Sequence, residues 1–129
     1  MIRREIWMVN LPMTGSSAQA GKRPCIIVSN DMANAHSSVI HIIPLTTKSK
    51  TQLRTHVTIG TDSGLLMESI AMAEQSMLVG KNCFLRCVGE VDEKTMNKVE
   101  TALMIQFGFY DKVKNIITSA KRERELQYA

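Results

Sequence analysis

The sequence predicts an α+β domain, rich in strand, in which a small β-barrel is followed by C-terminal helices. Three observations carry this. Apolar residues alternate, or run in short β-branched stretches, through the first two-thirds of the chain. After Asp92 the apolar spacing becomes helical. At 129 residues, 44% hydrophobic and 22% charged, the chain has apolar mass for one core and too little length for two independent domains. The same composition excludes global disorder.

Glu5 to Leu11 alternates and sets Trp7, Val9 and Leu11 on one face of a strand. A loop of small and polar residues follows from Pro12 to Gly21 and ends at Lys22-Arg23-Pro24, after which Cys25 to Ser29 is a β-branched strand. Val39 to Leu45 is a second buried strand, and Thr46 to Thr55 is a polar, basic loop. His56 to Ile59 alternates, with Arg54, His56 and Thr58 opposite Val57 and Ile59. Short extended pieces are expected at Leu65 to Glu74 and at Asn82 to Gly89. Asp92 reads as an N-cap with Glu93 in the first turn; Met96, Val99, Leu103 and Phe107 then recur at helical spacing until Gly108. Val113, Ile116, Ile117 and Ala120 form one stripe of a second helix, which ends in the mixed-charge run Lys121 to Glu125. Residues 1–108 are thus expected to form the barrel with the first C-terminal helix, and 109–129 a helical extension of the same domain.

Several function classes lose their support. No G-x-x-x-x-G-K-[ST], H-E-x-x-H or G-x-S-x-G occurs. The cysteines (Cys25, Cys83, Cys87) are three, with no histidine near them, so no four-ligand zinc cluster forms from sequence; they read as reduced thiols of a cytoplasmic protein, Cys25 in the core. The longest apolar stretches, such as Cys25 to Val28, are far short of a membrane span, and residues 1–30 carry no apolar segment of the signal-peptide kind. No metal or cofactor is expected, and no membrane contact.

The formal charge of +4 is unevenly placed. Residues 1–60 hold seven basic residues and two acids, a balance of +5; residues 61–129 hold nine basic and ten acidic, a balance of −1. A basic first half points to a polyanion, nucleic acid first, and equally to a solvated face. Pro24 biases Arg23 toward an extended backbone where a loop enters a strand. A guanidinium there grips phosphate, helped by Lys22, or else bonds the loop's own carbonyls. Thr46-Thr47 ends a buried strand beside another polar loop, a place for phosphate-facing hydroxyls or for ordinary turn-capping ones. Of the dispersed histidines, His41 reads as a satisfied core residue and His36 as part of a turn, while His56 sits beside Arg54 on a polar strand face.

The order of segments is informative: Glu5-Ile6-Trp7, the loop Gly15-Ser16 to Gln19-Ala20-Gly21-Lys22-Arg23-Pro24, then Ile27 to Asp31, Pro44-Leu45-Thr46-Thr47, Thr55-His56-Val57 and Glu74-Gln75. Across residues 2–108 it resembles the MazF/PemK/Kid family of toxin endoribonucleases from bacterial toxin–antitoxin modules. The resemblance implies an SH3-like barrel, a homodimer, that cuts single-stranded RNA without metal by attack of a ribose 2′-OH, leaving a 2′,3′-cyclic phosphate and a 5′-OH. It places catalytic roles on Arg23, Thr46 and Glu74, and RNA contacts on Ser16, Gln19, Lys22, Thr47, Lys48, Lys50, Arg54, His56 and Gln75. It also implies a cognate antitoxin that lays an acidic segment over the basic groove. The same barrel implies an alternative, a non-catalytic toxin that poisons DNA gyrase or only binds RNA. The chain departs from the family pattern at Ser17-Ala18, where an acid is commoner, and at Met77, where a basic residue is expected.

Overall fold

Alternation in the first strand is matched by burial on both of its faces, and that two-sided burial organises the whole sheet. The structure, a computed structural model, describes residues 1–13, 19–47 and 52–127. Strand β1 (Glu5–Leu11) pairs antiparallel with β2 (Gly21–Ile27), and β2 with β3 (Val39–Thr46). Ile6, Ile26, Ile43 and Leu45 enter one core, while Val9, Leu11, Cys25, Ile27, Ile40 and Ile42 enter another on the opposite face. Strands buried on both sides read as continuous apolar runs, which is why Cys25 to Ile27 and Ile40 to Ile43 show no polar face. Trp7 closes the second core edge-to-face on Phe84, with ring centroids 5.9 Å apart.

β2 begins four residues earlier than its apolar run. Leu11↔Gly21, Asn10↔Lys22 and Val9↔Arg23 are all paired, so Arg23 lies within a strand rather than at a loop–strand junction. Pro24 is accommodated because pairing to β3 starts only at the next residue, Cys25↔Pro44. Between β2 and β3 a short helix α1 (Asp31–His36) occupies what the sequence suggested was turn; the Asn30 side chain caps it by accepting from Ala33 N.

The remaining strands are short: β4 (His56–Ile59), β5 (Ser69–Met72), β6 (Met77–Gly80) and β7 (Phe84–Glu90). The two expected extended stretches thus become three strands separated by 3₁₀ turns at Ala73–Gln75 and Lys81–Cys83. The sheet order is β4-β5-β3-β2-β1-β7, with β6 also on β3. The free edge of β3 is divided: residues Val39 to Ile42 pair with β6, and Leu45 and Thr46 pair with β5. The ladder ends at β4 and β7 without joining, yet the two ends approach where Gly64 (φ 104°) meets the backbone of Val88 and Gly89. A Cβ on Gly89 would stand 1.8 Å from the Ser63 carbonyl, so only glycine permits this seam. The result is a barrel-like, strongly curved sheet, as the sequence predicts.

Helix α2 (Glu93–Gln106) starts at Asp92, whose carboxylate accepts from Thr95 N at 2.7 Å, and closes at Gly108 in the left-handed region, φ +80°. Met96, Val99 and Ala102 are buried against Val57, Ile59 and Ala71. Phe107, expected on that stripe, is instead 57% exposed, because the C-terminal turn has left the sheet. Helix α3 (Tyr110–Gln127) packs on α2 and buries none of its residues; its expected stripe faces solvent, with Ile117 63% exposed.

Cys25 is buried, and burial pushes its thiol pKa up to about 12, so it acts as a small hydrophobe. His41 corrects another expectation: its Nε2 is buried and, among the described residues, has no hydrogen-bond partner, since the ring lies on β3 across from the apolar Leu78. Burial lowers its pKa below the ordinary 6.5. The unfolded chain therefore binds a proton at a pH where the folded protein does not, and stability from this source is lost as pH falls from about 6.5 toward the folded value. His41→Leu is expected to show a smaller drop in urea midpoint than wild type between about pH 7.5 and 5; equal drops in both proteins would refute this role.

Candidate active site

The division of β3 makes room for a polar cluster at its far end. Between β5 and β6 the chain leaves the ladder for one 3₁₀ turn, Ala73–Gln75, which packs on β3. The turn is anchored by Ala73 N donating to Thr55 O at 3.0 Å. Its Glu74 carboxylate accepts on both oxygens: Thr55 Oγ1 donates to Oε1 at 3.0 Å, and His56 Nε2 lies 2.8 Å from Oε2. Leu53 N donates to His56 Nδ1 at 3.3 Å, so Nδ1 is an acceptor and the proton sits on Nε2, pointing at Glu74. The imidazole in this arrangement is a neutral donor. Its side chain is 3% exposed, against 25% for Glu74. His56, expected as an RNA contact, is thus turned inward, and its visible partner is the carboxylate.

Thr55 was not legible as a site residue. It is 19 residues from Glu74, and the only sequence signal was its place in the Thr55-His56-Val57 segment. The same holds for the Leu53 amide that selects the imidazole tautomer.

Arg23 and Thr46 lie on the neighbouring strands β2 and β3. β2 and β3 pair through Ile26↔Ile43 and Cys25↔Pro44. The paired residues end there; continued two residues past the last of them, the same register would set Arg23 opposite Thr46. Thr46 is buried at the end of β3, opposite Ile70 of β5. Arg23 Nε donates to the Ala20 carbonyl at 3.2 Å, the loop-carbonyl bond that stood as one of its two readings. Because Nε alone makes that bond, the bond aims the guanidinium and leaves its charge in place. One residue before Ala20, Gln19 N donates to Gln75 Oε1 at 2.8 Å, so the end of the β1–β2 loop is tied to the turn that carries Glu74. Gln19 and Gln75, expected as RNA contacts, bond to each other.

The remaining candidates disperse. Lys22 is exposed, opposite Asn10 on the edge of the β1–β2 hairpin, and Thr47 is exposed beyond the end of β3. Thr47 lines a groove of about 530 Å³ with Pro24, Met8, Leu66 and Met67, along the seam between β7 and the segment before β5. Arg54 lies over the Tyr110 ring, 5.9 Å from its centroid. Ser16, Lys48 and Lys50 lie outside the described residues. The N-terminal basic surplus is partly neutralised: Arg3 pairs with Glu100, and Arg4 with Glu90 at 2.5 Å. Among the described residues no three His, Cys, Asp or Glu side chains are placed to hold a metal ion, and no helix is long and apolar enough to cross a membrane.

The sheet is a curved, barrel-like antiparallel one with a carboxylate held at its divided edge, the architecture of a small barrel-type domain. The sequence profile of the PemK-like, MazF-like toxins of type II toxin–antitoxin systems matches residues 2–107, and the chain belongs to that family. Endoribonuclease MazF9 of Mycobacterium tuberculosis is 32% identical over 117 residues, covering 85% of this chain and 98% of its own. Endoribonuclease EndoA of Bacillus subtilis is 28% identical over 111 residues, covering 84% and 96%. A mycobacterial endoribonuclease solved in complex with its cognate antitoxin superposes with a TM-score of 0.72 at 29% identity, over 84% of this chain and 95% of that one. Helix α3 lies beyond the family match.

The tie between the loop and the turn is testable by itself. In Gln75→Ala the Gln19 amide is expected to lose its protection from hydrogen exchange while the core amides of β2 and β3 keep theirs. Unchanged protection at Gln19 would show that the bond does not hold the loop.

Proposed function

We propose that this endoribonuclease toxin cuts single-stranded RNA by transesterification, with Glu74 as proton acceptor and Arg23 and Thr46 on the scissile phosphate. The observation that carries the reading is the Glu74 carboxylate, oriented by two hydrogen bonds and still a quarter exposed. Each carboxylate oxygen has a second lone pair, so both bonds hold the group without blocking proton uptake. His56 cannot serve as the base, because its Nδ1 is occupied by the Leu53 amide and its Nε2 carries the proton.

In the reaction the 2′-oxygen forms a bond to phosphorus as the bond from phosphorus to the 5′-oxygen breaks. The 2′-hydroxyl proton passes to Glu74, and the departing 5′-oxygen takes a proton from solvent. The products are a 2′,3′-cyclic phosphate and a 5′-OH. Charge builds on the non-bridging oxygens in the pentavalent state. A permanently charged guanidinium, aimed by the Ala20 carbonyl, is suited to stabilise it, and a hydroxyl across the strand at Thr46 supplies a further donor. Base selection falls to polar groups on the loops at 12–22 and 47–55. A homodimer in the cytoplasm and a cognate antitoxin with an acidic segment complete the proposal.

Purified protein is expected to cut single-stranded RNA in EDTA, leaving 5′-OH ends. Arg23→Ala and Glu74→Gln are each expected to lower kcat/KM by about 10²–10⁴-fold. Both variants should keep the wild-type circular dichroism. In Glu74→Gln the amide oxygen still accepts from His56, and the amide nitrogen finds the Thr55 hydroxyl as acceptor. RNA left intact by wild type across diverse sequences, or cut normally by Arg23→Ala, would overturn the assignment.

His56→Phe is expected to cost about 1–3 kcal/mol in urea unfolding, the usual penalty for leaving a buried partner unsatisfied, together with a lower kcat. A variant as stable and as active as wild type would remove His56 from the account.

A further inference from the structure

Charge separates four of the cavities on the described surface. The two lined by Arg3 or Arg4 also carry carboxylates, Glu90 in both, with Asp62 and Asp92 in one and Glu5 and Asp31 in the other. The seam groove at Thr47 is mostly apolar, with Arg86 as its only charge. The fourth, of about 390 Å³, lies between β4 and α2 and is lined by Gln52, Arg54, His56, Thr58, Lys98 and Thr101 among its residues. It has two cations and no acid. Arg54 and Lys98 form no ion pair among the described residues, whereas Arg3 and Arg4 each do. Two uncompensated cations facing one cavity repel each other, and an anion between them relieves that.

We propose that this cavity is a phosphate subsite on the path of the RNA, with Arg54 and Lys98 as its cations and Tyr110 as the brace that holds Arg54. The inference rests on the RNA-cleaving reading above and adds to it two residues, Lys98 and Tyr110, that nothing in the sequence marked. The brace has a chemical consequence. With its Cζ over the Tyr110 ring, 5.9 Å from the centroid, the guanidinium is held by a cation–π contact, while its N–H donors lie at the edge of its own plane. That edge is the part that meets two phosphate oxygens at once. Tyr110 opens α3, the helix beyond the family match, so the added helix reaches back to the cavity. β4 pairs only with β5, which leaves its other edge open toward α2 and the cavity accessible.

The cavity also stands next to the chemistry. His56 lines it and bonds Glu74. A strand of RNA whose scissile linkage lies at Glu74 therefore has a neighbouring phosphate within reach of the cavity. That adjacency favours RNA over an acidic protein segment as the occupant.

The test is binding and turnover of a single-stranded oligonucleotide across a salt series, for full-length wild type, Lys98→Ala, Lys98→Arg and Tyr110→Leu. Lys98→Ala should weaken binding by about 5–10-fold at low salt. It should also flatten the slope of log affinity against log salt by about 0.7, one phosphate contact on a single strand. KM should rise with kcat held, and Lys98→Arg should restore both. Tyr110→Leu keeps every charge, so it should raise KM while the salt slope stays at the wild-type value. An unchanged KM and slope in Lys98→Ala, with wild type cutting RNA, would overturn the subsite and leave the cleavage reading standing. Loss of polyglutamate binding in Lys98→Ala without loss of RNA binding would overturn it in favour of an acidic protein segment. Conversely, Lys98-dependent RNA binding by a wild type that fails to cut would support the subsite and sink the cleavage reading.

Discussion

Strand β3 is the element on which the rest of the structure depends, because its free edge is shared between two strands that approach it in succession. β6 takes the first half and β5 the last two residues, and the junction falls at Ile43 and Pro44. Proline has no N–H to offer a neighbour there, so one ladder donor fewer is lost where the chain turns outward. It does so in the Ala73–Gln75 turn, and the turn presents Glu74 to Thr55 and His56 on the adjoining strand end. The carboxylate owes its position to the sheet's own topology. Any change that let β5 and β6 run as one strand would remove the turn and the site with it.

The polar cluster that results is satisfied link by link. The Leu53 amide fixes the imidazole, the imidazole and a hydroxyl fix the carboxylate, and Gln75 fixes the incoming loop at Gln19. A half-buried chain of this kind is strong only while complete, since removing one member leaves the next without its partner. Fold stability and the geometry proposed for catalysis are therefore drawn from the same bonds.

What the sequence disclosed follows from the range of the forces involved. Helix α2 was legible at both ends because its cap, its apolar stripe and its terminal glycine are local signals. The early start of β2 was hidden because Lys22-Arg23-Pro24 looks like loop, and only its pairing with Asn10, Val9 and Met8 makes it strand. β6 escaped for the same reason: four residues acquire strand geometry from β3, which lies nearly forty positions upstream. Arg23, Thr46 and Glu74 were named through the resemblance. Their mutual placement was not readable, since it depends on register across β2 and β3 and on a turn interrupting a ladder. Charge was only half legible. The surplus at the N-terminal end is partly consumed by Glu90 and Glu100, and the unneutralised pair at Arg54 and Lys98 joins a loop to a helix more than forty residues away.

The pairing of β1 with β7 has a consequence in time. Glu5 lies opposite Glu90, so β1 waits for β7, the last of the described strands, before its second edge is covered. Sheets closed by such distant contacts fold slowly, because the intervening loop loses its freedom before any bond rewards the loss. Every residue proposed for chemistry has been synthesised by position 75, yet a nascent chain of that length lacks the strand that completes the sheet around them.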